Sequence, residues 1–185
     1  MTVLFADLRG YTAFSERMAP TDVVAHLNAA LGVAVPAVLT QGGTVVQFMG
    51  DAMMAIFNAP NPQPDHALRA ARAALTMQRA VGELPAAGTR PQFRVGLNSG
   101  LALVGNIGAA EIRSFSAIGD TINLAARLQT YAGEGSVVIG ANTYDLIREL
   151  AIVRPLGTPY LKGKTQPVEV YELLGLRNGA GGAAV

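Results

Sequence analysis

The 185-residue chain contains no cysteine. This absence excludes disulfide bonds and thiolate-bound metals, so any metal ion must be held by oxygen or histidine ligands. The chain has only two histidines, His26 and His66, and both fall on predicted helices without an acidic partner at ligand spacing. We therefore assign them surface or packing roles, which leaves carboxylates as the candidate metal ligands.

The chain also lacks a strong excess of charge of either sign. Lysine and arginine number 14 against 13 acidic residues, which gives a net charge of +1 and no broad basic field for nucleic acid. The longest apolar runs have about the length of a strand or a short helix, well below the ~20 residues that span a bilayer, and the N-terminus lacks a signal pattern. We expect a soluble, cytoplasmic domain without membrane contact.

Half of the residues are hydrophobic, enough to bury one substantial core. We predict a single domain over residues 1–176, followed by a disordered Gly/Ala tail over 177–185. Because the sequence opens directly in a strand-like segment, we expect it to be part of a longer chain.

Strands and helices alternate along the sequence. The apolar run Thr2–Leu8 predicts a buried strand, and an apolar helical pattern from Thr21, as N-cap, to Gly42 predicts a helix that Pro36 should kink or split. Val45–Phe57 predicts a hairpin. The remaining predicted elements are a helix over 65–84, "QFRVGLNSG" and "LALVGNIG" as strands paired through Ser99-Gly100, a helix over Asp120–Tyr131, a strand "SVVIG", a helix "ANTYDLIREL" capped by Asn142 or Ala141, and a last strand "PVEVYELLGL".

Two aspartates lie among apolar residues that penalise an unpaired carboxylate. Asp7 ends the first strand and Asp51 lies at the tip of the hairpin. In a strand-helix-strand-strand order these segments commonly lie side by side, which places both carboxylates at one end of the sheet. Converging carboxylates repel one another unless a cation lies between them, and oxygen ligands favour Mg²⁺ or Mn²⁺. The alternative is that each aspartate caps a glycine-containing turn.

Three further segments suit phosphate binding. "LRGYT" turns through Gly10 into a helix start, where backbone N–H groups point outwards. Asn123 and Arg127 are one helical turn apart and could hold a ribose and a phosphate, or could be solvated residues of an amphipathic helix. Lys162 and Lys164 flank a glycine and could reach a triphosphate or belong to a solvated turn.

Five blocks, in this order and at these separations, resemble the catalytic domain of class III nucleotidyl cyclases: "VLFADLRGYTAFSE", "GGTVVQFMGDAMMAIF", "RVGLNSGLALVGNIG", "SAIGDTINLAARLQ" and "LKGKTQPVEVYEL". The resemblance implies an α+β fold with a ferredoxin-like βαββαβ core, in which helices flank an antiparallel sheet. It also implies a head-to-tail homodimer whose active sites are shared between the subunits.

The resemblance also implies a role for individual residues. Asp7 and Asp51 would bind two Mg²⁺ or Mn²⁺ ions with the Leu8 carbonyl group. Arg9, Gly10, Tyr11 and Thr12 would cradle the distal phosphates through backbone amides. From the partner subunit, Asn123 would orient the ribose, Arg127 would stabilise the α-phosphate, and Lys164, with Lys162 as the alternative, would bind the terminal phosphates. No dedicated protein base is implied.

Base selection is expected to depend on Gln47 and Ser116. The family typically has lysine at the first position in adenylyl cyclases and glutamate in guanylyl cyclases, and Gln47 matches neither. The backbone near Ala117 and Ile118 would add base contacts. An amide can pair with either purine edge, but it lacks the carboxylate best suited to guanine, so we favour ATP. The alternatives are a guanylyl or dual-specificity cyclase and a non-catalytic nucleotide-binding or dimerisation module.

Overall fold

The computed structural model of the chain describes residues 1–84 and 91–177. The predicted tail from residue 178 onwards, and most of a predicted Pro/Gly loop at 85–90, lie outside the described residues. Arg177 is described, and its backbone N–H donates to the Leu150 carbonyl oxygen at 2.7 Å. The elements are β1 (Thr2–Leu8), α1 (Tyr11–Ser15), α2 (Pro20–Thr40), β2 (Thr44–Met49), β3 (Ala52–Phe57), α3 (His66–Gly82), β4 (Phe93–Ser99), β5 (Leu103–Gly108), β6 (Arg113–Ile118), α4 (Asp120–Tyr131), β7 (Val137–Gly140), α5 (Ala141–Ile147), β8 (Ala151–Gly157) and β9 (Val170–Leu176).

The main sheet has seven strands in the order β2-β3-β1-β4-β7-β9-β8. Its first four strands, with α2 and α3 as crossovers, form the predicted ferredoxin-like βαββαβ core. The neighbours are antiparallel except for β4 and β7, which are parallel, so the sheet is mixed rather than purely antiparallel. The α+β prediction is confirmed.

Each face of the sheet has its own hydrophobic layer, because alternate strand residues point to opposite sides. Leu4, Ala6 and Leu8 of β1 face α2, α3 and α5 in the larger core. Val3 and Phe5 face the opposite side and pack with Ala117 of β6 and Ala125 of α4. Asp7 continues the Val3–Phe5 alternation, which places its side chain on the α4 side of the sheet.

Helix α2 begins earlier than predicted, and of the two outcomes predicted for Pro36, a kink or a split, it does not show the split. It begins at Pro20 with Ala19 as N-cap, so Thr21 is not the cap. Proline is well suited to the first helical position, where the missing N–H has no intrahelical partner anyway. The helix continues through Pro36 without a split. Pro36 has no N–H to donate to the Gly32 carbonyl group one turn earlier, but both residues lie on the exposed face, where water can bind that carbonyl group instead.

The apolar stripe of α2 agrees with the predicted one except at Val24, since Leu27, Leu31 and Val35 pack against the larger core. Val24, expected in the core, is 55% exposed, whereas Val38 is fully buried. The residues that the helix buries are Val23, Ala30, Ala34, Ala37 and Val38. Three of these five buried residues are alanines, which the predicted stripe did not include.

The predicted pairing of β4 and β5 through Ser99-Gly100 is wrong. Both edges of β4 are occupied, by β1 and β7, and β5 pairs instead with β6 in a separate two-stranded ribbon. Strands β6 and β8 were not predicted, and β8 contains Pro155, which a strand at the edge of the sheet tolerates. The cap of α5 is Gly140, while the Asn142 side chain donates to the Ser99 carbonyl oxygen at 3.2 Å.

By length and composition α2 could cross a membrane, with a mean hydropathy of 1.8. The expectation that no apolar segment reaches spanning length is therefore wrong for this helix. In the structure α2 packs against α3 and β2. Core helices of globular domains meet the same two criteria, so this feature is weak evidence for membrane contact.

Candidate active site

The two aspartates lie at the same end of the sheet, as the sequence predicts. β1 and β3 are antiparallel neighbours, and their register places Asp7 opposite Ala52, the residue after Asp51. Gly50 adopts φ +65° in the short connection between β2 and β3, a conformation that favours glycine and allows the tight turn that presents Asp51. The two carboxylates are therefore held close together by strand pairing.

The surroundings of Asp51 disfavour its negative charge. Burial raises the pKa of the Asp51 carboxyl group, and the nearby Asp7 carboxylate raises it further, while hydrogen bonds from the backbone of Asp51 and Leu8 act in the opposite direction. A divalent cation between the two acids would offset both unfavourable effects. Two carboxylates and neighbouring main-chain oxygens such as that of Leu8 are the ligand type that Mg²⁺ and Mn²⁺ prefer, so these residues fit such an ion.

Over residues 1–84 and 91–177, no group of three or more histidine, cysteine, aspartate or glutamate side chains could hold a metal. A metal bound at Asp7 and Asp51 would therefore depend on main-chain oxygens, water or substrate for its other ligands.

Sequence reasoning missed Arg94, which pairs directly with Asp7. Its Nε and one terminal nitrogen both lie 2.9 Å from Oδ1 of Asp7. The two residues are opposite each other in the β1–β4 register, and both side chains are largely buried. The pairing of β1 with β4 was the signal that could have revealed this contact, because directly opposed residues share a face of the sheet.

The segment after β1 carries the residues that the sequence predicts to cradle phosphates. Gly10 adopts φ +79° and precedes α1, whose first N–H groups have no intrahelical partner. The N–H of Arg9, however, already donates to the Gln92 carbonyl oxygen at 2.9 Å. Arg9 therefore has no free backbone donor, and the predicted cradle is reduced to Gly10, Tyr11 and Thr12.

A second cluster of polar residues lies along α4. Nζ of Lys164 is 2.5 Å from Oδ2 of Asp120, the first residue of the helix. A Cβ atom on Gly163 would lie 3.1 Å from the Arg127 guanidinium group, so the turn that carries Lys164 also touches Arg127. Asn123 is exposed one helical turn before Arg127. The structure thus brings Lys164, Arg127 and the unpredicted Asp120 together.

The predicted base-selecting residues share the α4 side of the sheet. Gln47 is paired with Met54, whose side chain packs with Ala117 of β6. Strand β6, which carries Ser116 and Ile118, is in contact with β2. Gln47 is exposed and Ser116 is partly exposed. In β6 the neighbours of Ser116, Phe115 and Ala117, pack against the sheet, so Ser116 lies on the opposite face of the ribbon.

Within one chain the turn that carries Lys164 lies on a different part of the sheet from the two acids, although α4 itself contacts β1 and β4 as well as β7. Leu161, which anchors the turn before Lys164, packs with Val138 of β7 and Val170 of β9. The acids instead lie at the β1–β3 part of the sheet. Because β4 and β7 separate β1 from β9, these strands are roughly 14 Å apart at about 4.8 Å per strand.

The chain is similar to known nucleotide cyclases. Residues 1–175 match the adenylate and guanylate cyclase catalytic domain family, and the chain belongs to that family. It is 33% identical over 183 residues to adenylate cyclase 1 of Rhizobium meliloti, a match that covers 95% of this chain and 28% of the longer protein.

Solved structures of both cyclase types share the fold. The adenylyl cyclase CyaB from P. aeruginosa superposes with a TM-score of 0.90 at 32% identity, covering 97% of this chain and 96% of that one. The guanylate cyclase domain of RhGC from Catenaria anguillulae, solved with GTP, superposes with a TM-score of 0.88 at 30% identity and covers 96% of both chains. These similar values do not separate the two substrates.

Proposed function

We propose that this chain is the catalytic domain of an adenylate cyclase, which converts ATP to 3′,5′-cyclic AMP and pyrophosphate. The observation that carries the proposal is the pairing of β1 with β3, which places Asp7 and Asp51 together where two negative charges need a cation. Family membership supports nucleotide cyclisation as the reaction class.

In the proposed reaction, the 3′-oxygen of the ribose attacks the α-phosphorus, the new O–P bond closes the ring, and the bond to the β-phosphate oxygen breaks. Asp7 and Asp51 would hold the divalent ions, Mg²⁺ or Mn²⁺, which lower the pKa of the hydroxyl group and neutralise phosphate charge when bound. The proton passes to solvent or to the substrate. Arg127 would stabilise the charge that develops on the α-phosphate, and Asn123 would orient the ribose.

The proposed active site requires two copies of the chain. Asp7 and Asp51 of one copy would face Arg127 and Lys164 of the other, because a single chain holds the acids at β1 and β3 and the Lys164 turn at β7 and β9. The exposed apolar residues near the α4 side support this assembly: Leu101, Leu103 and Ile112 are 94%, 75% and 77% exposed. Large apolar side chains exposed to this extent are typical of a surface that a partner covers.

The preference for ATP is based on Gln47 and Ser116. Both are uncharged, and an amide or hydroxyl group can donate to or accept from adenine. A carboxylate at position 47 would instead accept from the two N–H donors of guanine. Because a neutral pair also tolerates guanine, a guanylyl or dual-specificity cyclase is the second candidate.

The decisive experiment is to incubate the protein separately with ATP and GTP in the presence of Mn²⁺ and to identify the products by mass spectrometry. We expect cyclic AMP as the main product. Cyclic GMP in excess of cyclic AMP would contradict the substrate assignment, and nucleotide binding without either product would favour the non-catalytic alternative.

Shared active sites are tested with two inactive variants. Asp51→Ala should abolish turnover while the dimer remains, and Arg127→Ala should do the same. A mixture of the two should recover activity, because a heterodimer contains one site with both functional residues. A mixture as inactive as its components would argue against sites formed between subunits.

A further inference from the structure

The lysine proposed to bind the terminal phosphates already has an anionic partner within its own chain. Nζ of Lys164 lies 2.5 Å from Oδ2 of Asp120. The two side chains differ sharply in burial, since Lys164 is 22% exposed and Asp120 is 70% exposed. Lys164 is therefore the fixed member of the pair, and Asp120 is the member that can turn away into solvent.

The main chain around Lys164 explains why the lysine is fixed. Its N–H donates to the Leu161 carbonyl oxygen at 3.0 Å, and Gly163 adopts φ +73° within this tight turn. The buried Leu161 side chain packs on Leu128 of α4. The turn is thus attached to the helix by an apolar contact at one end and by the Asp120 ion pair at the other.

We propose that Asp120 is a positioning residue that competes with phosphate for Lys164 and so promotes the release of pyrophosphate. This inference rests on the proposed function. A terminal phosphate group carries more negative charge than one carboxylate, so an incoming triphosphate displaces Asp120 from the ammonium group. Competition by Asp120 weakens the hold of Lys164 on pyrophosphate in the same way, and the carboxylate returns to Lys164 when the pyrophosphate dissociates.

The size of the effect is limited by solvent. An ion pair with one partner this exposed is screened by water, so its free energy is small. Breaking it should change the affinity of Lys164 for phosphate by only about two- to five-fold. Removing the Asp120 charge should therefore strengthen phosphate binding by that factor. If Asp120 only held the loop in place, the same change would weaken phosphate binding instead.

The test measures tripolyphosphate affinity by calorimetry and pyrophosphate inhibition of turnover, for Asp120→Asn, Lys164→Gln and the double variant. One matched control is available. Asp22→Asn removes an exposed acid from the first turn of α2, so it reproduces the loss of a charge at a helix start. Thermal unfolding of every variant checks that the fold is kept.

We expect Asp120→Asn to tighten tripolyphosphate binding and pyrophosphate inhibition about two- to five-fold, with no such gain in the Lys164→Gln background and none for Asp22→Asn. Weaker binding by Asp120→Asn, an equal gain without Lys164, or no tripolyphosphate binding by the wild type would overturn the inference. Calorimetry needs no turnover. A protein that forms no cyclic product but shows the expected tripolyphosphate affinities for the single and double variants would therefore refute the proposed function and not the role of Asp120.

Discussion

Gly96 lies on β4 beneath α4, and there is no space for a side chain at this position. A Cβ atom added there would lie 2.2 Å from the backbone nitrogen of Gln129, 2.4 Å from the Ala125 carbonyl oxygen and 2.8 Å from the Gln129 Cα. All three are backbone atoms of α4, so no side-chain rotation can relieve the contact. Gly96→Ala should therefore push α4 away from the sheet.

The displacement follows from ordinary contact distances. Non-bonded heavy atoms approach to about 3.5 Å, so α4 must retreat by roughly 1 Å or more. Overpacking of this kind costs about 1–3 kcal/mol of unfolding free energy, and we expect the upper part of that range because the obstacle is a helix backbone. Helix α4 also carries Arg127, and a shift of about 1 Å in a substrate-positioning group can cost roughly 100-fold in rate.

The assay compares urea unfolding and initial cyclisation rates of Gly96→Ala with those of Gly105→Ala. Gly105 is also a strand glycine, on β5, and a Cβ atom there meets nothing within 4 Å. We expect Gly105→Ala to change stability by less than about 0.5 kcal/mol. If Gly96→Ala matched it in both stability and rate, the close packing of α4 on β4 would be refuted.

Three other substitutions test separate features. Arg94→Gln should lower the free energy of unfolding by roughly 1–3 kcal/mol, because Asp7 loses a largely buried partner. Mn²⁺ should raise the Tm of this variant more than that of the wild type. The control Arg154→Gln, at an exposed ion pair, should lower the free energy of unfolding by less than about 1 kcal/mol. Burial lowers the pKa of His66, as does the N-terminal charge, so the unfolded chain binds the proton more tightly and the stability of the fold declines as the pH falls below about 6.5. His66→Gln should flatten this decline when Tm is measured against pH. An unchanged dependence of Tm on pH would contradict the assignment. Gln47→Glu should raise the rate with GTP relative to ATP by at least about ten-fold in product assays, and an unchanged ratio would place Gln47 away from the base.

The acidic end of the site could be predicted from the sequence because it depends on local patterns. An apolar run that ends in Asp7 and a glycine-turn hairpin that carries Asp51 both predict strand ends. Their convergence then requires only that the hairpin pairs with the first strand, which the observed register confirms. The helix predicted over Asp120–Tyr131 matches α4 for the same reason, since its apolar spacing and its flanking glycine are local signals.

The contacts that complete each cluster could not be predicted in this way. Arg94 lies 87 residues from Asp7 in the sequence, and Lys164 lies 44 residues from Asp120. Both pairs exist because of long-range packing, of β1 on β4 and of the Leu161 turn on α4. The partner of β5 was missed for a similar reason, since only the finished sheet shows that both edges of β4 are already occupied.

These two ion pairs bear on how the proposed site would accept its ligands. A charge in a partly buried position is unfavourable without a partner, so the chain alone provides one: Arg94 for Asp7, and Asp120 for Lys164. Binding of a cation or a triphosphate is then an exchange of ion pairs, in which each new contact replaces an existing one. The net affinity is accordingly smaller than the new contacts alone would give, and the same exchange in reverse favours the departure of the product.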